Sequence, residues 1–195
     1  SAIVVGAGNG IGSAIAAARV EILRLLSGMM EQLPDDGPFP KADLILEGGI
    51  EALLSSGVSA SDVEDQYRQM LAGNRPRDAA AGRTLDGPHR SDLLVMHRPK
   101  SMPANLSSTG EQKALLIGIV LSHARLVARM TGSAPVLLLD EIAAHLDAGR
   151  REALFGIIDD IGSQAFMTGT DRSLFAALEG RAEFLAVSHG VVSGI

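Results

Sequence analysis

Between Ile11 and Leu33 the apolar positions Ile15, Ala18, Ile22, Leu25, Leu26, Met29 and Leu33 return at three- and four-residue steps. That period places them on one face of a helix. Pro34, which lacks a backbone N–H, ends it. Residues 34–40 hold three prolines and a glycine and read as a connector. Ala42–Glu47 (ADLILE) has the apolar character of a short strand. Ser59 to Leu71 predicts a polar helix with Ser61 as N-cap and Gly73 at its end. Residues 74–83 (NRPRDAAAGR), with three arginines, Pro76 and Gly82, predict a loop.

Beyond Arg83 the character changes. Thr84 to His97 (TLDGPHRSDLLVMH) predicts a turn feeding a strand, and residues 99–103 a loop. Glu111 to Met130 predicts a long helix that keeps Leu115, Leu116, Ile119, Val120, Leu126 and Val127 on roughly one side. Val136 to Leu139 is a continuous apolar run, the pattern of a strand buried on both faces of a parallel sheet. Asp147 can cap a helix whose buried face is Ala153, Leu154, Ile157, Ile158 and Ile161, closed by Gly162. Gln164 to Thr168 is then a second strand, and strand, helix, strand is the parallel crossover unit. A short helix at Ser173 to Leu178 and a hairpin turning at His189-Gly190 complete the pattern.

Composition narrows the class. The 195 residues are 46% apolar, enough for a core, so disorder is not expected. No cysteine is present, which excludes disulfides and thiolate metal sites and suits a reducing cytoplasm. No continuous apolar run reaches the roughly 18 to 20 residues that span a bilayer, and the amino end lacks a signal-like pattern. The expectation is therefore a soluble cytoplasmic protein with no membrane contact. A net charge of -6 argues against a uniformly basic surface, so any nucleic-acid contact must come from a local patch.

Two segments carry candidate chemistry. The run Val136 to Glu141 (VLLLDE) ends in two adjacent carboxylates, at the end of a strand where open α/β sheets bind ligands. In a nucleotide hydrolase one such carboxylate supports Mg2+ and the next polarises the attacking water. The plain alternative is a strand leaving the core on two charged residues. Ser107 to Lys113 (SSTGEQK) opens the long helix, and Ser108 with Glu111 fits a capping box, which by itself explains both residues. Gly110 fits that account poorly, because a glycine in a first helical turn costs on the order of 1 kcal/mol against alanine and suggests a close approach to the backbone. Free N–H groups at a helix start favour phosphate.

Taken in order, Ser108-Thr109-Gly110-Glu111-Gln112 resembles the signature of ABC-type ATPases, Leu138-Leu139-Asp140-Glu141 the Walker B, and Ala144-His145-Leu146-Asp147 the D-loop. Within that superfamily the segments DGPHRSDLL, STGEQKALL, LLLDEIAAHLD and MTGTD resemble the RecF family of DNA replication and repair ATPases, closely over residues 86–171 and loosely before. The resemblance implies an α/β fold: the carboxy-terminal half of an ABC/SMC-type ATPase head, a parallel-sheet P-loop hydrolase core, plus a mainly helical arm. Residues 1–83 would be the arm and 84–195 the carboxy-terminal lobe of the head. It also implies ATP and Mg2+ as ligands, with Asp140 supporting the metal through water and Glu141 as catalytic base. Ser108, Gly110 and Glu111 would reach nucleotide across an ATP-dependent homodimer, with His145 and Asp147 at the dimer seam. Family membership further implies double-stranded DNA at single-strand gaps, RecO and RecR as partners, placement of RecA, and a part in the SOS response.

Three departures qualify it. No lysine follows a glycine, so the phosphate-binding loop G-x-x-x-x-G-K-[ST] is missing, and the chain reads as a fragment whose own activity would be silent. The stretch Met167-Thr168-Gly169-Thr170 stands where many ABC ATPases place a switch histidine, so Thr168 would sense phosphate only by hydrogen bond. Thr109 and Glu111 replace the second glycine and the glutamine of the commonest signature.

Two rival readings remain open. Ile3 to Gly12 (IVVGAGNGIG) places Gly6, Gly10 and Gly12 at the spacing of a short-chain dehydrogenase, a nicotinamide-binding fold. That family's Tyr-x-x-x-Lys pair is absent, since Tyr67 is followed four residues on by Leu71. A non-catalytic dimerisation module would leave Asp140 and Glu141 vestigial. His89 and Arg90, beside a Gly-Pro turn, read first as a surface turn, and Arg75, Arg77 and Arg83 as a solvated loop.

Overall fold

The structure, a computed structural model, describes residues 11–194. Gly6 and Gly10 of the glycine-rich stretch lie outside the described residues. The described residues gather into two compact units, those up to 35 with 40–108, and 36–39 with those from 109 onward.

In the first unit, helix α1 (Ile11–Glu31) stops just short of Pro34 and packs on strand β1 (Ala42–Glu47); Leu26, Met29 and Leu33 of the expected apolar face are buried, whereas Ile15 and Ile22 are exposed. A short helix α2 (Gly49–Ser55), which no periodic pattern marks, follows at once. Ala16, Ile50 and Val63 form a small core with Leu53, Leu54, Val58 and Tyr67 around it. Helix α3 (Ala60–Ala81) departs from expectation at both ends. Its N-cap is Ser59, whose hydroxyl accepts the Asp62 N–H at 3.2 Å, and not Ser61. It also runs through Gly73 and Pro76 to a left-handed cap at Gly82, where a loop was expected. The last turns are held from outside. Asn74 donates to Asp86 at 2.7 Å and Leu85 donates its N–H to Asp78 at 3.0 Å, which offsets the backbone bond that Pro76 cannot make.

Strand β2 (Asp92–His97) pairs antiparallel with β1 along its whole length, Ala42 opposite His97 and Glu47 opposite Asp92, and short β3 (Met102–Pro103) adds to its far edge. The compact units thus divide after Ser108, whereas the sequence places a family domain division at Arg83.

In the second unit, helix α4 (Thr109–Thr131) buries Ala114, Leu115, Ile117, Leu121, Ala124 and Leu126. By length and composition it is apolar enough to cross a membrane, but core helices pass the same test and this one contributes to the main core. Strand β4 (Leu137–Leu139) pairs in parallel with β5 (Ala165–Met167), joined by helix α5 (Ala148–Ile161) in the expected crossover. Leu137, Leu139, Leu154, Phe155, Ile158, Phe175 and Leu178 close the core, with Phe39 from the 36–39 segment, which Arg150 fastens by donating to the Pro38 carbonyl at 3.1 Å. The expectation of a strand buried on both faces fails: Leu138 is 79% exposed and its register partner Phe166 is 55% exposed. Side chains alternate across a strand, and α4 and α5 cover only the face that carries Leu137 and Leu139. Strands β6 (Leu185–Ser188) and β7 (Val191–Gly194) form the expected hairpin, with His189 and Gly190 both at positive φ in its turn.

Candidate functional site

The parallel register decides what meets at the carboxyl end of β4. Leu139 stands opposite Met167, so the next residues, Asp140 and Thr168, emerge side by side. Thr168 continues the ladder by donating its N–H to the Leu139 carbonyl at 3.1 Å. Its hydroxyl donates to Asp140 Oδ1 at 2.5 Å and accepts the Glu141 N–H at 2.9 Å. The three residues, 27 and 28 positions apart in sequence, therefore form one hydrogen-bonded cluster.

Glu141 adopts φ 53 and ψ 16, a left-handed conformation that costs a non-glycine residue about 1 kcal/mol or more. It is held there from both sides. Thr168 takes its N–H, and the 3-10 turn Ile142–His145 that follows is anchored by fully buried Ala143, with Leu146 buried just after it. The kink turns the Glu141 side chain out of the strand path at the point where the sheet ends. No signal in the sequence marked it, because only glycine and asparagine advertise left-handed positions.

His145 closes that turn, exposed. Asp147 caps α5 by accepting the Arg150 N–H at 2.9 Å, which is the local role expected of it. Gly110 and Glu111 lie in the first turn of α4, and Ser108 immediately precedes it. A Cβ on Gly110 would meet nothing within 4 Å, so no part of the described chain explains a glycine there. After β5, Gly169 lies against Phe175, whose ring carbon a Cβ would approach to 2.7 Å. Asp171 then caps the turn Arg172–Leu178, and the Ser173 N–H and hydroxyl hold its carboxyl below the usual range.

The first unit contains a polar cluster that the sequence did not announce. Glu51, 1% exposed, accepts the Ser91 hydroxyl at 2.7 Å and pairs with Arg19 at 3.4 Å, while Arg19 also donates to the Pro88 carbonyl. The DGPHRS segment is thus pinned to α1 and α2. Tyr67 fits between two glycines of this cluster: a Cβ at Gly12 would lie 2.7 Å from its ring, and one at Gly87 2.9 Å from its hydroxyl. Gly12 accordingly has a packing reason unrelated to a dinucleotide turn. His89 and Arg90 stay exposed on the pinned turn.

Among the described residues no group of three or more His, Cys, Asp or Glu side chains could hold a metal unaided. Asp140 and Glu141 do suit a hard cation that keeps water and takes its other oxygens from phosphate, the habit of Mg2+.

No family model matches the chain. It is 66% identical over 181 residues to the DNA replication and repair protein RecF of Mesorhizobium japonicum, covering 93% of this chain and 48% of that protein. It is 64% identical over 186 residues to the RecF of Brucella abortus, covering 95% of this chain and again 48% of that protein. Two solved structures of the recombination mediator protein RecF in the RecFOR pathway, RecF-ATPrS and RecF-ATP, share its fold over 94% of its length, with TM-scores of 0.75 and 0.72 and identities of 22% and 23%. It covers 47% and 48% of those chains. These matches do not favour the nicotinamide-binding alternative. Over more than nine-tenths of its length the chain is thus similar in sequence to RecF proteins and shares the fold of the solved RecF structures, and it spans about half the length of the curated relatives it matches.

Proposed function

We propose that this chain supplies the carboxylate half of an ATP-hydrolysing site in a DNA replication and repair ATPase of the RecF type. The observation that carries the proposal is the Asp140–Thr168–Glu141 cluster at the carboxyl ends of two parallel strands, where such sheets bind ligands. Mg2+, arriving with ATP, would be supported by Asp140 through water and would offset charge on the phosphates. Glu141, swung out of the strand by its left-handed backbone, would take the proton of the attacking water. The solved relatives named with ATP and ATPrS support nucleotide as the ligand.

A phosphate-binding lysine loop does not occur in this sequence, so the phosphates must be held by a segment outside it. Ser108, Gly110 and Glu111, at the amino end of α4, would face the nucleotide of a second head, with open space around the Gly110 backbone and the helix N–H groups favouring phosphate. His145 and Asp147 would lie at that seam. ATP would then act as a switch, closing two heads on duplex DNA at single-strand gaps, with RecO and RecR as partners in placing RecA. We assign residues 1–83 to a helical arm and 84–195 to the carboxy-terminal lobe of the head, in the cytoplasm.

The test is ATP binding and hydrolysis by this chain alone and by the chain joined to an upstream segment that carries the lysine loop, with and without duplex DNA. Turnover in the joined protein only, stimulated by DNA, is the expected result. Glu141→Gln there should keep ATP binding, slow turnover by about a hundredfold or more and prolong the dimer. Unchanged turnover in that variant removes Glu141 as base, and silence of the joined protein itself leaves a non-catalytic dimerisation module.

A further inference from the structure

We propose that Thr168 is a positioning residue that clips the two carboxylates together, and that its hydroxyl is not a contact to the nucleotide. This rests on the reading of Asp140 and Glu141 as the hydrolytic pair.

A threonine hydroxyl has one proton to donate and two lone pairs. The proton goes to Asp140 Oδ1 at 2.5 Å, and one lone pair receives the Glu141 N–H at 2.9 Å. The donor that a phosphate oxygen would need is therefore already engaged, in a charge-assisted bond of the stronger kind. The backbone of Thr168 is equally committed, through its N–H to the Leu139 carbonyl at 3.1 Å. The hydroxyl thus fixes two different things. It orients the Asp140 carboxylate, leaving Oδ2 for water, and it secures the Glu141 amide in the left-handed turn that sets where the Glu141 carboxylate points. The branched Cβ restricts the rotation of the hydroxyl about χ1, so one side chain holds both partners at once. The strand-end position that carries a switch histidine in many ABC ATPases is here occupied by a clip.

The experiment compares Thr168→Val, which keeps the shape and removes the hydroxyl, with Thr168→Ser, which keeps the hydroxyl. Both are made in the joined protein described above, with Thr168→Ala replacing the valine variant if that fails to fold. The hydroxyl-free variant should lose about tenfold or more in kcat, with KM for ATP within about threefold of the parent, because geometry and not binding has been removed. Thr168→Ser should recover most of the rate. Hydrogen exchange at the Glu141 amide should be slow in the parent and the serine variant and fast without the hydroxyl. An unchanged kcat overturns the clip, as does a raised KM with kcat intact, the mark of a nucleotide contact, and as does a serine variant that restores neither rate nor protection. If the parent itself hydrolyses no ATP, the ATPase reading fails, and the Glu141 amide alone decides the clip: equal exchange in all variants overturns it.

Discussion

Ser91 donates its hydroxyl to the buried carboxylate of Glu51 at 2.7 Å and so fastens the turn before β2 to helix α2 across 40 positions of sequence. The same carboxylate holds Arg19, which reaches on to the Pro88 carbonyl. Gly48 accommodates the arrangement, since a Cβ there would lie 2.3 Å from Glu51 Oε2 and 2.6 Å from the Ser91 hydroxyl.

Glu51→Ala should therefore destabilise the protein by about 2 kcal/mol, by leaving the Ser91 hydroxyl without its acceptor and opening a cavity. Arg19, being partly exposed, can return to water and limits the loss. Urea unfolding measures it, and a change within about 0.5 kcal/mol would mean the cluster adds no net stability.

Asp147 separates a structural role from a seam role. Asp147→Asn keeps an N-cap acceptor for the Arg150 N–H and should leave thermal stability nearly unchanged, whereas Asp147→Ala should cost about 1 kcal/mol. If the residue also works at a dimer seam, the asparagine variant will slow ATP turnover in the joined protein without lowering Tm. Equal turnover in parent and asparagine variant restricts Asp147 to capping.

Gly169→Ala should push the new methyl into the Phe175 ring, which is itself stacked against Phe155 with centroids 6.3 Å apart. The expected cost is about 1–3 kcal/mol, the usual range for overpacking a core that cannot yield. A companion Phe175→Leu change should recover part of it, and a double-mutant cycle reads the coupling.

Acid should loosen the link between α1 and β1. The Arg98 guanidinium, shared between Glu31 and Asp43, holds the Glu31 carboxyl below its ordinary value of 4.5. A depressed folded-state value means the contribution is complete above about pH 4.5 and fades as pH falls from there through the lower, folded value. Glu31→Gln should flatten that part of the stability profile below about pH 4.5, and an identical profile in parent and variant would remove the pair from acid unfolding.

Much of this was legible locally. Helices α1, α4 and α5 form where the apolar periods place them, though Ile15 and Ile22 of α1 and Leu116 and Val120 of α4 stay exposed; Asp147 and Gly162 bound α5 as capping chemistry requires, and β1 falls on ADLILE. Helix α3 runs past Gly73 and Pro76, both local breakers, because what holds its last turns, Asp86 and Leu85, lies beyond the helix. The strand at VLLLDE was found, but its one exposed face was not, because a short apolar run looks the same whether one side is covered or two.

The order of the segments, the carboxylates that end β4 and the absence of a lysine loop were settled by the sequence alone, since each depends only on which residues are neighbours along the chain. What meets what was decided by the tertiary structure. Periodicity carries no register, so only the pairing of Leu139 with Met167 brings the Thr168 hydroxyl to Asp140 and Glu141, and only the packing of α1 and α2 on the DGPHRS turn buries Glu51 beside Ser91. A left-handed glutamate is likewise invisible along the chain, because the hydroxyl that takes its N–H is contributed from 27 residues away.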